Sequence, residues 1–486
     1  MSKKNQNYTN RKQNRFQPER MRGNVFVNNS GKQWLPGENG RAAKVERLLR
    51  GAKEEKKEIA GNMAGYKDSG VEEVKFIPKD WNTLRMKDAF NISKEIIGDK
   101  WTEAALLSLT TNGVKSITAD EQVGKRPKTF ATYQRVTKND IVMCLFDLDA
   151  SAVFSGLSGY DGMISPAYKI LKTKEQVLPE FANYYFQYIF EGRKYKKYAK
   201  SIRYTLSGEE FLRLLIVLPP LPEQQRIADF LDTKCGILDR TIDAVSRQIE
   251  DLEKYKKALI TKTVTKGICK KGEPERAMKD SGVEWIGEVP EEWSVSKVKY
   301  NFSTFKKIPG KESEKYERLS LTMNGVKHRE KWTAEGLQPK DFMSYQLLRK
   351  GDLVFRLIDL QNPSKSRRVA LSHDTGLISP AYTILHADNN KMLPEYAEMF
   401  FLMMSYLDVF NALGSCGVRS SINNAELMKI SVLVPPLAEQ QQIADYLDEK
   451  CKNIDNRVQK RRQQLEWLKE YKKSLIFDYV TGKKRV

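Results

Sequence analysis

The sequence has few cysteines, few histidines and no long apolar run. Its five cysteines (Cys144, Cys235, Cys269, Cys416 and Cys451) are scattered without CxxC spacing. That argues against a disulfide framework and a zinc site, and fits a reducing cytoplasm. The three histidines (His328, His373 and His386) form no HExxH pair. No stretch of ~18 apolar residues occurs, so no membrane-spanning helix is expected. The opening MSKKNQNYTNRKQNRF is basic but has no apolar stretch behind it, so it does not read as a secretory leader. GxxxxGK[ST] is missing and no GxGxxG opens a helix. Asn362-Pro363-Ser364 lacks the aromatic residue of an amino-methyltransferase segment, and Glu73-Val74-Lys75, a nuclease-like triplet, is of a kind common by chance. Catalysis is therefore not expected of this chain, with an unrecognised nuclease site as the alternative.

What is abundant is positive charge. Lysine and arginine number 83 against 62 acidic residues, a formal net charge of +21. Such an excess favours a polyanionic partner, nucleic acid before an anionic membrane. The 486 residues predict two or three domains, and a hydrophobic content of 40% suffices for globular cores.

The chain also repeats itself. Lys67-Asp68-Ser69-Gly70-Val71-Glu72 returns as Lys279-Asp280-Ser281-Gly282-Val283-Glu284, followed at matched spacing by Pro78 and Trp81, then Pro290 and Trp293. Asn112-Gly113-Val114-Lys115 returns at Asn324–Lys327, Ile164-Ser165-Pro166-Ala167-Tyr168 at Ile378–Tyr382, and Leu178-Pro179-Glu180 at Leu393–Glu395. PPLPEQQRIADFLDTKC (Pro219–Cys235) returns as PPLAEQQQIADYLDEKC (Pro435–Cys451). Units of about 210 residues are too long for solenoid repeats; they read as a duplicated domain followed by a helix.

Within each unit, short apolar runs bounded by turn residues (Asp140–Leu145, Asp352–Leu357) alternate with helix-like stretches (Glu180–Glu191, Glu395–Phe410). This predicts an α+β fold with two similar globular domains. A closing strand stops at Pro219-Pro220, because proline cannot continue a ladder. Pro222 suits a first helical turn and Glu223 the positive helix end. Apolar residues then step by three and four: Leu238, Ile242, Val245, Ile249, Leu252 and Leu259, and in the second copy Ile454, Val458, Leu465, Leu468 and Leu475. Two such helices of ~60 Å bury their seams best against each other, as an antiparallel coiled coil related by the internal pseudo-twofold repeat. Arg461, Lys256 and Lys472 interrupt the seams. The expected boundaries are a basic, mostly disordered arm (1–65), a first globular domain (66–220), a first long helix (221–270), a second domain (271–436), and a second long helix with tail (437–486).

Candidate DNA contacts are the basic turn Lys125, Arg126 and Lys128; Lys115 and Lys327 beside the repeated Asn-Gly turn; Arg367 and Arg368; and the matched pairs Arg203-Tyr204 and Arg419-Ser420 before each closing strand. Lysine and arginine suit phosphates, and arginine can also grip a guanine edge. Ion pairs and solvated loops are the competing readings. For Tyr168 and Tyr382 the expectation is a packing role.

A domain that closes on PPLPEQQRIADFLD, runs into a long helix and then repeats resembles the specificity subunit of Type I DNA restriction–modification systems. The resemblance covers roughly Tyr66 to Gly482. It implies two target-recognition domains that each read half of a split double-stranded DNA site, with the helices as a spacer. It also implies two methyltransferase subunits that bind S-adenosylmethionine and flip out adenine, and ATP- and Mg-dependent restriction subunits. No cofactor or metal belongs to this chain on that reading. A recognition module of another modification or DNA-processing assembly, and a basic assembly protein without sequence preference, are the rivals.

Overall fold

The computed structural model describes residues 65–486 except 112, 119, 122–126, 150, 152, 192–197, 200–203, 269–271, 273–275, 332–340, 361–366 and 415–419. The basic arm lies outside the described residues. The chain divides into two compact units: the described residues up to Ala228 with Phe477–Val486, and Asp229–Ile476. Among the described residues no helix is long and apolar enough to cross a membrane.

In the first unit, β1 (Tyr66–Asp68) pairs with β2 (Phe76–Pro78). Next come β3 (Asn82–Arg85), the single turn α1 (Met86–Ala89), β4 (Phe90–Ser93), the hairpin of β5 (Leu107–Thr110) and β6 (Gly113–Ser116), and β7 (Gln134–Val136). Then follow β8 (Ile141–Met143), β9 (Ser155–Leu157), β10 (Gly162–Ile164), β11 (Lys169–Thr173), helices α2 (Pro179–Glu191) and α3 (Gly208–Arg213), the closing strand β12 (Leu215–Leu218) and the start of the long α4 (Leu221–Lys266), which belongs to the second unit from Asp229 on. The central sheet is antiparallel in the order β4-β11-β8-β9, and β12 pairs with β3.

The second unit rebuilds this plan. Its strands are β13 (Met278–Asp280), β14 (Glu288–Pro290) and β15 (Ser294–Lys297), then α5 (Val298–Asn301), β16 (Phe302–Ser303), β17 (Arg318–Thr322), β18 (Gly325–Arg329) and β19 (Gln346–Leu348). After them come β20 (Leu353–Phe355), β21 (Val369–Leu371), β22 (Gly376–Ile378), β23 (Thr383–Ala387), α6 (Pro394–Tyr406), α7 (Val409–Leu413), α8 (Asn424–Lys429), β24 (Ser431–Val434) and the long α9 (Leu437–Val480). The central sheet again runs β16-β23-β20-β21, and β24 pairs with β15. The helix-like stretch expected to reach Phe410 breaks after Tyr406, where Asp408 turns left-handed (φ 58°). The fold is α+β, and the repeat extends to the backbone: Asn139 and Gly351, Lys75 and Gly287, and Asp147 and Asp359 occupy matched positions with positive φ.

The repeated motifs have physical jobs. In the KDSGVE turns the Asp68 and Asp280 carboxylates accept from the Gly70 and Gly282 amides, 2.9 and 3.0 Å. In the SPAY turns, Gln134 Nε2 donates to the Ser165 and Tyr168 carbonyls, and Gln346 Nε2 to those of Ser379 and Tyr382. Tyr168 and Tyr382 are half-buried against the core clusters of their domains. The PPLxEQQ motif ties each long helix to its own domain. Gln224 Oε1 accepts from Leu178 N and its Nε2 donates to the Gln176 and Pro219 carbonyls, and Gln440 does the same with Leu393, Lys391 and Pro435. Glu223 accepts from the fully buried Trp81 Nε1 (3.2 Å), and Glu439 from the fully buried Trp293 Nε1 (2.8 Å).

The far end of a long helix also seats on each tryptophan. In the second unit Gly267 abuts Trp293, and Arg276 grips Glu439 with two bonds of 2.5 and 2.9 Å. In the first unit Gly482 abuts Trp81, and Arg485 reaches Glu223 at 3.5 Å. Both glycines have positive φ, and a Cβ on Gly482 would collide with the Pro78 ring, so each is the residue that lets the chain leave the helix against an indole.

α4 and α9 have 46 and 44 residues, about 69 and 66 Å at 1.5 Å per residue. They pair antiparallel within the second unit: Lys256 meets Asp455 (2.6 Å), Lys472 meets Asp239 (2.7 Å) and Arg462 meets Glu253 (2.6 Å). Leu238, Val245, Ile249, Ile454, Val458, Leu468 and Leu475 are buried, while Ile242, Leu252, Leu259 and Leu465 are half-buried. The two seam lysines thus keep their stems along the apolar stripe and carry their charge across to an aspartate. Arg461 is exposed and bonds Gln464.

Candidate nucleic-acid interface

One loop in each globular domain turns through a left-handed aspartate. After β8 the chain runs Cys144-Leu145-Phe146 into Asp147 at φ 48°, and after β20 it runs Arg356-Leu357-Ile358 into Asp359 at φ 50°. A left-handed non-glycine residue costs on the order of 1–3 kcal/mol and persists where surrounding bonds over-determine it. Those bonds come from the segment before the closing strand. Leu148 N donates to Tyr204 O (3.3 Å) and Leu206 N to Leu145 O (2.8 Å); in the second domain Leu360 N donates to Ser420 O (3.0 Å) and Ile422 N to Leu357 O (3.0 Å). Two segments distant in sequence therefore converge at the same place in both domains.

The repeated hairpin joins them. In the second domain Arg367 N donates to Thr322 O in the β17–β18 turn (3.2 Å). In the first, Gly156 of β9 lies so close to the β5–β6 hairpin that a Cβ there would come within 2.6 Å of Leu109. The exposed Lys115 and Lys327 stand on these hairpins. Exposed cations beside rigidly held loops can contact phosphates, and loop side chains can reach base edges.

The candidates named from sequence divide on their surroundings. Lys115, Lys128 and Lys327 are exposed. Lys128 lies in the segment that packs through Phe130 on Trp101 and Tyr133, in the cluster that also holds Leu106 and Ile117 beside the β5–β6 hairpin. Tyr204 is half-buried with φ 47°. Lys125, Arg126, Arg203 and Arg419 lie outside the described residues. Arg367 is half-buried, with Nη1 3.5 Å from Glu398. Burial pushes the Glu398 carboxyl above its usual range, and the Arg367 guanidinium only partly opposes this.

Arg368 and Ser420 are corrections. Arg368 is buried and donates to the backbone carbonyls of Ile358 (3.1 Å), Asp359 (3.2 Å) and Leu360. It holds the left-handed loop from inside and cannot reach DNA without abandoning three acceptors. Ser420 is 5% exposed, and its carbonyl holds Leu360. Its role is likewise to support the loop.

Sequence reasoning missed Asp147 and Asp359. The available signal was an Asp-Leu pair recurring at the repeat spacing after an apolar strand. It also missed the glutamine and glutamate clamps, although both residues stand in the repeated PPLxEQQ motif. Among the described residues no group of His, Cys, Asp and Glu could hold a metal ion. His328 meets Glu317 (2.5 Å) and Asp374 (3.1 Å) through opposite ring nitrogens, which leaves no common point for an ion.

The family profile described as "Type I restriction modification DNA specificity domain" matches residues 78–254 and 381–466, together more than half of the chain. The chain belongs to this family. The two matched segments contain the strands of the converging-loop site in the first domain and both PPLxEQQ helix starts. A curated relative, the Type I restriction enzyme MjaVIII specificity subunit of Methanocaldococcus jannaschii, is 25% identical over 454 residues, covering 87% of this chain and 98% of the relative. A solved structure described as "Structural basis underlying complex assembly and conformational transition of the type I R-M system" contains a chain that superposes with a TM-score of 0.56 at 14% identity. It covers 84% of this chain and 99% of that one, which shows a shared fold. As a member of the specificity family the chain is a DNA target-recognition subunit, and its excess of 21 positive charges suits that polyanionic partner.

Proposed function

We propose that the protein reads a double-stranded DNA target in two halves, one with each globular domain, and presents that target to methyltransferase subunits and, in a full restriction assembly, to translocase–nuclease subunits. The observation that carries this reading is duplication of the site. The same left-handed loop, the same supporting segment and the same lysine-bearing hairpin are built twice in one chain, each set followed by a helix long enough to span about two 34 Å turns of DNA. In this reading the chain does no chemistry. S-adenosylmethionine, ATP and Mg belong to the partner subunits, two of them methyltransferases.

The test is a genome-wide map of adenine methylation in cells carrying the neighbouring methyltransferase, with and without this gene. A split motif that appears only with the gene supports the proposal. An active methyltransferase and a stably expressed chain that together mark no split motif contradict it.

A further inference from the structure

The repeated hairpins are almost the same peptide. Leu107-Ser108-Leu109-Thr110-Thr111-Asn112-Gly113-Val114-Lys115 matches Leu319-Ser320-Leu321-Thr322-Met323-Asn324-Gly325-Val326-Lys327 at every position but one, Thr111 against Met323. The frames match as well. Thr110 pairs with Gly113 and Thr322 with Gly325. Each threonine hydroxyl donates to the glycine carbonyl across the turn at 2.9 Å. The glycines hold φ of 89° and 87°, a region where glycine is favoured. Leucines on one face enter the core and the lysine faces solvent. Within these nine residues every position that shapes or seats the turn is kept, and the one that changes is the exposed residue at its tip; the strands diverge beyond them, Leu106 against Arg318 and Ser116 against His328.

That residue is unusual in the second domain. Met323 is 56% exposed, a flexible apolar side chain at the end of a rigid turn. The tip lies against the candidate interface: Arg367 donates its amide to Thr322 O, and its Nη1 would stand 3.7 Å from a Cβ on Gly325. A scaffold that must read two different half-sites needs constant supports and a variable reader, which is the pattern seen here. Packing does not account for the difference, because neither side chain is buried.

We infer that Thr111 and Met323 are specificity-determining residues that face base edges in the major groove, each within its own domain's half-site. This deepens the proposed function and rests on it. Methionine offers no hydrogen to donate, so its complementary feature is the one apolar group in that groove, the C5-methyl of thymine. Threonine at the matched position has both a hydroxyl and a methyl, and selects a different edge.

The experiment measures binding of the full chain, assembled with its methyltransferase, to target duplexes in which each thymine is replaced in turn by uracil. This removes only the methyl group. For the wild-type complex, one substitution in the half-site read by the second domain weakens binding about fourfold, the worth of one buried methyl-sized group. Met323→Ser becomes indifferent to that substitution and keeps its response to all others, and Met323→Thr shifts the base preference at that same position. The inference is overturned if wild type tolerates every uracil, if Met323→Ser retains the same sensitivity, if Met323→Ser weakens all duplexes alike, or if neither half-site contains thymine. A wild-type complex without any sequence preference would instead overturn the proposed function itself.

Discussion

The two indole clamps make the same bond with different support, and that difference sets a measurable asymmetry. Glu439 accepts from the buried Trp293 Nε1 at 2.8 Å and from Arg276 through two bonds of 2.5 and 2.9 Å. Glu223 accepts from the buried Trp81 Nε1 at 3.2 Å and meets Arg485 at 3.5 Å. Alanine at either position leaves a buried N–H without its acceptor, a loss of about 1–3 kcal/mol. In the second unit alanine also frees a guanidinium whose paired geometry is good but whose side chain is 34% exposed, so that part is discounted to about 0.5–1 kcal/mol. Glu439→Ala should therefore destabilise by about 2–4 kcal/mol and Glu223→Ala by about 1 kcal/mol less. Glu439→Gln, which can still accept from the indole, should cost about 1 kcal/mol. Thermal unfolding followed by tryptophan fluorescence reads this, at about 2–4 °C per kcal/mol for units of this size. Equal losses for the two alanine variants, or a glutamine variant as unstable as alanine, would refute the reasoning.

Other expectations follow from the same geometry. Arg368→Ala removes three carbonyl contacts from the left-handed loop and should cost about 2–4 kcal/mol, measured by denaturant unfolding; a variant of wild-type stability would mean that the loop holds itself. Lys256→Asp should destabilise the helix pair, and adding Asp455→Lys should recover it, with a coupling of about 0.5–1 kcal/mol in a double-mutant cycle; zero coupling would show that the bridge contributes nothing. Burial raises the Glu398 carboxyl above its usual range, so its contribution to stability is complete below the unfolded value of about 4.3 and is lost as pH rises through the higher folded value. Glu398→Gln should therefore lose less stability than wild type as pH rises above about 4, and identical pH profiles of unfolding would contradict this. Adding one helical turn to both long helices should change the gap in the DNA target and leave both half-sites alone; altered half-sites with an unchanged gap would remove the spacer role.

Much of the architecture could be read from the sequence because the duplication doubles every signal. Pro219-Pro220 and Pro435-Pro436 end strands for steric reasons wherever they occur, and the three-and-four spacing from Leu238 and from Ile454 requires a helix with one apolar stripe. The interface was less legible. Charge alone does not separate Arg368, which three carbonyls draw inward, from Lys327, which faces solvent, because the distinction depends on a loop whose shape is set by residues about 60 positions away, around Ser420. Lys256 and Lys472 read as flaws in the seam until the antiparallel register put Asp455 and Asp239 opposite them. The left-handed Asp147 and Asp359 had no composition signal, since aspartate tolerates that conformation better than most residues.

The central claim is that each globular domain reads its own half of the target. It is tested most directly by replacing the second domain, Met278–Val434, with a copy of the first, Tyr66–Leu218, and mapping adenine methylation in cells that carry the methyltransferase. A motif whose two halves have become the same, both matching the first domain's half-site, is the predicted result. Retention of the original pair of halves by a stably expressed swapped chain would contradict it.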